Sequence, residues 1–293
     1  MAERTTIVYP NPQILAEAVA ARTLLTITDL LSEPNRTRVD IAVTGGTDGN
    51  RVFDAMNASP LNDAVDWSRV HVWWGDERFV AADDDDRNAK QAREAWYGKL
   101  VADGRMPAGN IHAMPSDERN LESVAAASPE QTDAVLAEAA AQYQRELIEQ
   151  LGENPALDIA MFGMGPHAHF ASLFPDHGEV EIDDPHVLVA GVRDSPKPPP
   201  LRVTLTVPMI ARSKHTWVFT SETRKADAVK AAVEPAKVEA AKPAEPVKAE
   251  AAKLEKKAKP VHKAKKVKKA VKAAKPAATT EAAPAAAAPA AGK

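Results

Sequence analysis

Three short apolar runs, each ending on glycine, do most to restrict the folds open to this chain. RVDIAVTGG (38–46), RVHVWWGDE (69–77) and DIAMFGMG (158–165) carry apolar residues at consecutive positions rather than at every second one. A strand that is apolar on both sides needs cover on both sides, which is the habit of parallel sheets. Between these runs lie segments with apolar residues at helical spacing: 12–31, with Asn11 placed as N-cap, then 50–57, 87–101 and 129–151. TTIVY (5–9), HVLVAGV (186–192), RVTLTV (202–207) and HTWVFT (215–220) read as further strands. This alternation predicts an α/β fold, doubly wound, with a mainly parallel sheet and helices on both faces. Ligands of such sheets sit beyond the carboxyl ends of the strands, so loops 45–49, 75–88, 163–169 and 193–202 are the places to look for chemistry.

The pattern stops near Glu234. Of the 37 Lys and Arg and 41 Asp and Glu in the 293 residues, 18 basic and 7 acidic ones lie between Arg224 and Lys293. That leaves 19 basic against 34 acidic residues before it. The expected division is an acidic α/β domain over 1–233 and a basic Lys/Ala/Pro-rich tail over 234–293. The tail has too little apolar bulk to offset chain entropy and is expected to be disordered. With no cysteine in the chain, disulfides, thiolate nucleophiles and cysteine-held metals are excluded. No apolar run is long enough to span a bilayer, and the N-terminus MAERTTIVYP lacks a basic-then-apolar leader, so a soluble cytoplasmic protein is expected. Oligomeric state is left open.

GGTDG (45–49) joins a strand to a helix, where backbone N–H groups can face an anion; no Gly-Lys-Ser/Thr follows, so it is not a Walker loop. A tight strand-to-helix turn is the plainer alternative. GDERFV (75–80) sets Asp76, Glu77 and Arg78 at a strand end, as a site or as a solvated charged loop. Asp83 to Asp86 lack the ligand spacing of a calcium loop and read as solvated. SPKPPPLRVTLT (195–206) places Lys197 and Arg202 around three prolines, which stiffen the chain either as a phosphate anchor or as a surface linker. In GMGPHAHFASLFP (163–175), Gly163, Gly165 and Ala168 match G-x-G-x-x-G/A only weakly, with Pro166 and His167 inside the pattern. His167 and His169 have no third ligand at a metal-site spacing. One histidine just past a strand could serve as a general base, or be structural.

Four segments together, AVTGGTDGNRVF, RVHVWWGDERFV, GMGPHAHFASLFP and SPKPPPLRVTLTVP, in this order, resemble the bacterial 6-phosphogluconolactonases over about Ile7 to Val233. The glucosamine-6-phosphate isomerases are wider relatives, and ASLFP after the histidine is similar to the lactonase branch. The resemblance implies a doubly wound fold and a hydrolase of 6-phosphoglucono-1,5-lactone in the pentose phosphate pathway, with neither metal nor cofactor. It implies His169 as the catalytic histidine and Asp76 as a catalytic acid. It further implies Arg78, Lys197 and Arg202 as substrate- or phosphate-binding residues, and Gly45, Gly46 and Thr47 as the sugar-phosphate loop. A phosphosugar isomerase is the alternative within this resemblance.

Two features depart from the family. The family carries an acid where His167 stands, and its loss is expected to weaken the enzyme. The family also continues with a further strand and helix where this chain enters its tail. KKAKPVHKAKKVKKAVKAAKPA resembles linker-histone tails, which implies nonspecific nucleic-acid binding and an alternative in which an inactive domain accompanies a nucleic-acid-binding tail.

Overall fold

The computed structural model of the protein describes residues 5–166, 168–222 and 225–233. Helix α1 (Pro12–Leu31) opens on Asn11, whose side chain accepts from the Ile14 N–H, with Pro12 in the first turn where no N–H is needed. Strand β1 (Val39–Val43) leads into α2 (Gly46–Ala58), then β2 (Val70–Trp74) and the short β3 (Asp76–Arg78). Helices α3 (Asn88–Ala92) and α4 (Gly98–Ala102) flank a π-helical turn, Arg93–Tyr97. Next come α5 (Leu121–Ala126) and α6 (Pro129–Leu151). A full capping box starts α6: Ser128 accepts from the Gln131 N–H, and the Gln131 side chain accepts from the Ser128 N–H. The chain continues through β4 (Ile159–Gly163), β5 (Val189–Val192), β6 (Arg202–Leu205), α7 (Val207–Ala211), β7 (His215–Phe219) and α8 (Ala226–Val233).

The central sheet has the order β2-β1-β4-β7 and is parallel throughout. The chain leaves β1 toward β2 on one side and returns to β4 on the other. The direction of winding therefore reverses between β1 and β4, and the crevice at their carboxyl ends is where such folds bind ligands. Every residue of β1 is buried, as consecutive apolar residues require. Four tryptophans, Trp67, Trp73, Trp74 and Trp96, are fully buried around this sheet. Trp96 stacks on Phe53 of α2 with ring centroids 5.4 Å apart, which ties the π turn to the helix that carries the glycine loop.

Two strand expectations change. TTIVY is not a strand: residues 5–9 have no regular structure and pair in no sheet of the described residues, and Val8 is 87% exposed. β-branched composition favours a pleated surface only where a neighbouring strand offers an edge. HVLVAGV and RVTLTV are strands, but β5 and β6 are not part of the parallel sheet. They pair antiparallel with each other, and β6 also pairs antiparallel with β3, in a second sheet of order β3-β6-β5 against which α6 packs. Only residues 193–201 join β5 to β6, too few for a helical crossover, so the pair closes as a hairpin. Among the described residues β7 is an edge strand, with Thr216 exposed and Val218 43% exposed. No helix of the described residues is long and apolar enough to cross a membrane.

Candidate active site

The antiparallel sheet brings the proline loop to the same crevice as the ends of the parallel strands. One cleft is lined by Gly45, Gly46 and Thr47 after β1, Asp76 and Arg78 on β3, His169 after β4, and Lys197 and Arg202 of the β5–β6 hairpin. All eight residues that the resemblance implied converge there. His167 lies outside the described residues. The Lys/Ala/Pro tail from Glu234 also lies outside them.

Local sterics set the imidazole of His169. The Gly165 N–H donates to the His169 carbonyl at 2.8 Å, and the Ala168 N–H to the Gly165 carbonyl at 3.2 Å. Ala168 takes a left-handed φ of 59° to close this turn. The His169 ring then lies flat over Gly165: a Cβ there would come within 2.0 Å of the ring. Phe174 flanks the ring at a centroid distance of 4.5 Å, and His169 is 9% exposed. The dinucleotide reading of this loop fails on the same geometry, because the space that a pyrophosphate would need above the second glycine holds the imidazole.

Asp76 is buried on β3 and faces the segment after the histidine, where Ser172 Oγ donates to Asp76 Oδ2 at 2.7 Å. The Ser172 N–H in turn donates to Thr204 Oγ1 of β6 at 3.3 Å. The acid is therefore held in place and ties β3 to the segment after β4.

The basic residues divide by what their hydrogen bonds serve. Arg202 is buried; its Nε donates to the Pro199 carbonyl at 2.8 Å and its Nη2 to the Lys197 and Pro198 carbonyls at 3.1 and 3.2 Å. Burial pulls its guanidinium down to about 10, against the opposing field of Asp76. Arg202 therefore holds the proline loop in shape. Lys197 is exposed on the loop that Arg202 pins, with its side chain lining the cleft. Arg78 donates through Nη1 to the Asp86 carbonyl at 2.6 Å and keeps the rest of its guanidinium at the cleft wall.

The N-terminus of α2 has no capping side chain, since its N-cap is Gly45. Asn11, Asn120, Ser128 and Thr206 cap α1, α5, α6 and α7. The first-turn N–H groups of α2 open instead into the cleft, where the helix dipole favours an anion. Gly45 is required on steric grounds, because a Cβ would meet Asn88 Oδ1 at 1.8 Å.

The cleft residues that the sequence reading did not single out include Asp48, Asn88, Ser172, Glu222 and Lys225. Lys225 is 8% exposed, with Nζ 3.2 Å from Glu222 Oε1 and 3.8 Å from Asp48 Oδ2. Asp48 accepts from the Ser221 N–H at 3.1 Å and from Ser221 Oγ, fastening the segment after β7 to the first turn of α2. A signal for Lys225 was present: HTWVFT is a strand, and the loop beyond its carboxyl end falls under the same rule as the other four.

Glu77, between Asp76 and Arg78, points away from the cleft and is fully buried. Its Oε1 accepts from the Asn88 and Arg78 N–H groups at 2.7 and 2.8 Å, and its Oε2 from the Ala89 N–H at 2.8 Å. Burial pushes this carboxyl up, opposed by Arg87 and the three N–H groups. Burial is the larger effect, and charge-assisted bonds of about 1.5–3 kcal/mol each offset part of it. A separate hollow between α6 and β5 is lined by Asp133, Glu179 and Asp194, with Arg193 paired to both aspartates. No cluster of metal-ligating side chains occurs among the described residues.

The family model of glucosamine-6-phosphate isomerases/6-phosphogluconolactonase matches residues 10–256. A 6-phosphogluconolactonase of Streptomyces coelicolor is 36% identical over 234 residues, 78% of this chain and 83% of that protein. One from Mycobacterium tuberculosis is 36% identical over 237 residues, 80% of this chain and 89% of that one. Among solved structures, 6-phosphogluconolactonase from Trypanosoma brucei is similar with a TM-score of 0.67 at 23% identity, covering 79% of this chain and 87% of that one.

Proposed function

The chain belongs to the glucosamine-6-phosphate isomerase/6-phosphogluconolactonase family, and from that membership we propose how its cleft works. It hydrolyses 6-phospho-D-glucono-1,5-lactone to 6-phosphogluconate, the lactonase reaction of the pentose phosphate pathway. The observation that carries the assignment of roles is the seating of the His169 imidazole on Gly165, in one cleft with Lys197, Arg78 and the uncapped start of α2. A base at one end and anion-binding groups at the other suit a lactone that bears a phosphate far from its reactive carbonyl.

Neutral His169 accepts a proton from water as the water oxygen attacks C1 of the lactone. The resulting imidazolium returns the proton to the ring oxygen as the C1–O bond breaks, leaving an acid and an alcohol. Such a base contributes about 10²–10⁴-fold. The remaining acceleration comes from positioning: Lys197, Arg78, Lys225 and the N–H groups of Gly46 and Thr47 hold the phosphate, which fixes C1 against the base. Asp76, locked by Ser172, orients the sugar end. Arg202 acts through the loop it holds, so its contribution reaches the substrate by way of Lys197.

The test is timed hydrolysis of freshly prepared lactone with the uncatalysed rate subtracted. The unaltered chain should show turnover that falls at least 10²-fold in His169→Ala while product affinity stays the same. Turnover of glucosamine-6-phosphate in place of the lactone would assign the site to the isomerase branch.

A further inference from the structure

Glu77 is the one charged residue of the GDERFV motif that the proposed mechanism leaves idle, yet it is the most buried of the three. Its carboxylate ties β3 to the start of α3 behind the cleft. It holds the Arg78 N–H on β3 and caps α3 through the Asn88 and Ala89 N–H groups. Asn88 extends that grip. Its Nδ2 donates to the Asp76 carbonyl at 2.8 Å, and its Oδ1 sits under Gly45, where a Cβ would come within 1.8 Å. Gly45 is the residue from which α2 opens onto the cleft. One buried carboxylate thus sets the backbone of Arg78 and, through Asn88, the turn that presents the α2 N–H groups. Both are elements assigned to the phosphate, and neither is assigned to the base.

We propose that Glu77 is a positioning residue for the substrate phosphate, acting through Arg78 and through the Asn88–Gly45 contact. This inference rests on the lactonase reading above. Its consequence is specific: loosening Glu77 should weaken the hold on the phosphate while leaving the proton transfer at His169 intact. A role confined to stability would instead lower the melting temperature and leave the kinetic constants of the folded enzyme as they were.

Glu77→Gln keeps the size of the side chain, but its amide nitrogen meets either the Ala89 N–H or both the Asn88 and Arg78 N–H groups, donor against donor. The readouts are kcat and KM on the lactone well below Tm, the pH at which kcat/KM is greatest, and the Kd of 6-phosphogluconate by titration calorimetry. The expected result is that KM and Kd rise together about tenfold, with kcat within threefold and the pH optimum unmoved. KM and Kd at unaltered values in a folded variant would overturn the proposal, as would a fall in kcat at unchanged KM. Should Glu77→Gln fail to fold, Asn88→Ala carries the same test, since it cuts the link to Gly45 and leaves the cap on α3 through Ala89. Unchanged KM and Kd in Asn88→Ala would then overturn it. The calorimetric arm separates the two readings. An unaltered chain that binds 6-phosphogluconate but shows no lactone turnover would refute the lactonase reading, and the change in Kd would still decide the role of Glu77.

Discussion

At the scale of single residues, the site depends on a glycine more than on any charged group. Gly165 lets the His169 ring lie against the backbone, so Gly165→Ala must move the ring or the turn by more than an ångström. Displacements of that size cost about 10²-fold in rate. The expected outcome is a loss of kcat near that figure, with Tm lowered by only a few degrees, read by lactone hydrolysis and calorimetry. The neighbouring position bears on the same ring. A carboxylate two residues before the base would stabilise its protonated form, whereas a protonated His167 would repel it. His167→Asp is therefore expected to raise kcat/KM on fresh lactone several-fold, and an unchanged value would remove His167 from the account of the site. Asp76, Arg78 and Lys197 were legible as candidates because strand-end loops announce themselves by glycine and charge, whereas the choice of His169 rested on the family resemblance. Asn88 and Ser172 were not legible. Their places depend on hydrogen bonds to Asp76 across 12 and 96 residues of sequence, which no local pattern encodes.

At the scale of elements, the parallel strands were legible and the antiparallel ones were misplaced. Consecutive apolar residues report burial on both sides and say nothing of strand direction; β5 and β6 are buried by α6 and the neighbouring core, not by a doubly wound layer. The cue to direction was the nine-residue proline connection, too short for a crossover. The amino-terminal half of β2 carries a feature remote from the cleft. His71 Nδ1 lies 2.9 Å from His112 Nε2, and His112 Nδ1 lies 2.7 Å from Glu146 Oε1 on α6. Trp73 stacks on His112 at 3.9 Å and donates to Asp40, which Arg38 also binds. Burial, with Arg38 adding to it, lowers the His71 imidazole from 6.5 to about 4. The unfolded chain therefore binds more protons than the folded one between those values. Stability is fully present above pH 6.5 and is lost progressively as pH falls toward 4. Tm measured from pH 7.5 to 4.5 should decline through this window. In His71→Asn, which keeps a donor toward His112 but cannot titrate, the decline should be shallower; a slope equal to that of the parent would place its origin elsewhere.

At the scale of the whole molecule, charge is partitioned more sharply than structure. Before Arg224 the chain has 34 acidic and 19 basic residues; from there to Lys293 it has 7 and 18. A lactonase needs only a local cluster of basic groups, and Lys197, Arg78 and Lys225 line one cleft together. The composition around the lysines beyond Lys237 suits a different kind of contact. They are interspersed with alanine and proline and have no aromatic residue to stack on bases, so any nucleic acid would be bound through its phosphates alone. Such binding releases counterions, and its affinity falls linearly with the logarithm of salt concentration. The full chain is therefore expected to retard duplex DNA at low salt regardless of sequence. Between about 50 and 200 mM salt the affinity should drop by orders of magnitude. Removing residues 238–293 should abolish the retardation and leave kcat/KM on the lactone within twofold. Retardation that survives the truncation would move the contact to the preceding residues, where the cleft gathers Lys197, Arg78 and Lys225. In that case 6-phosphogluconate would compete with DNA, and the competition would be visible in the same gel.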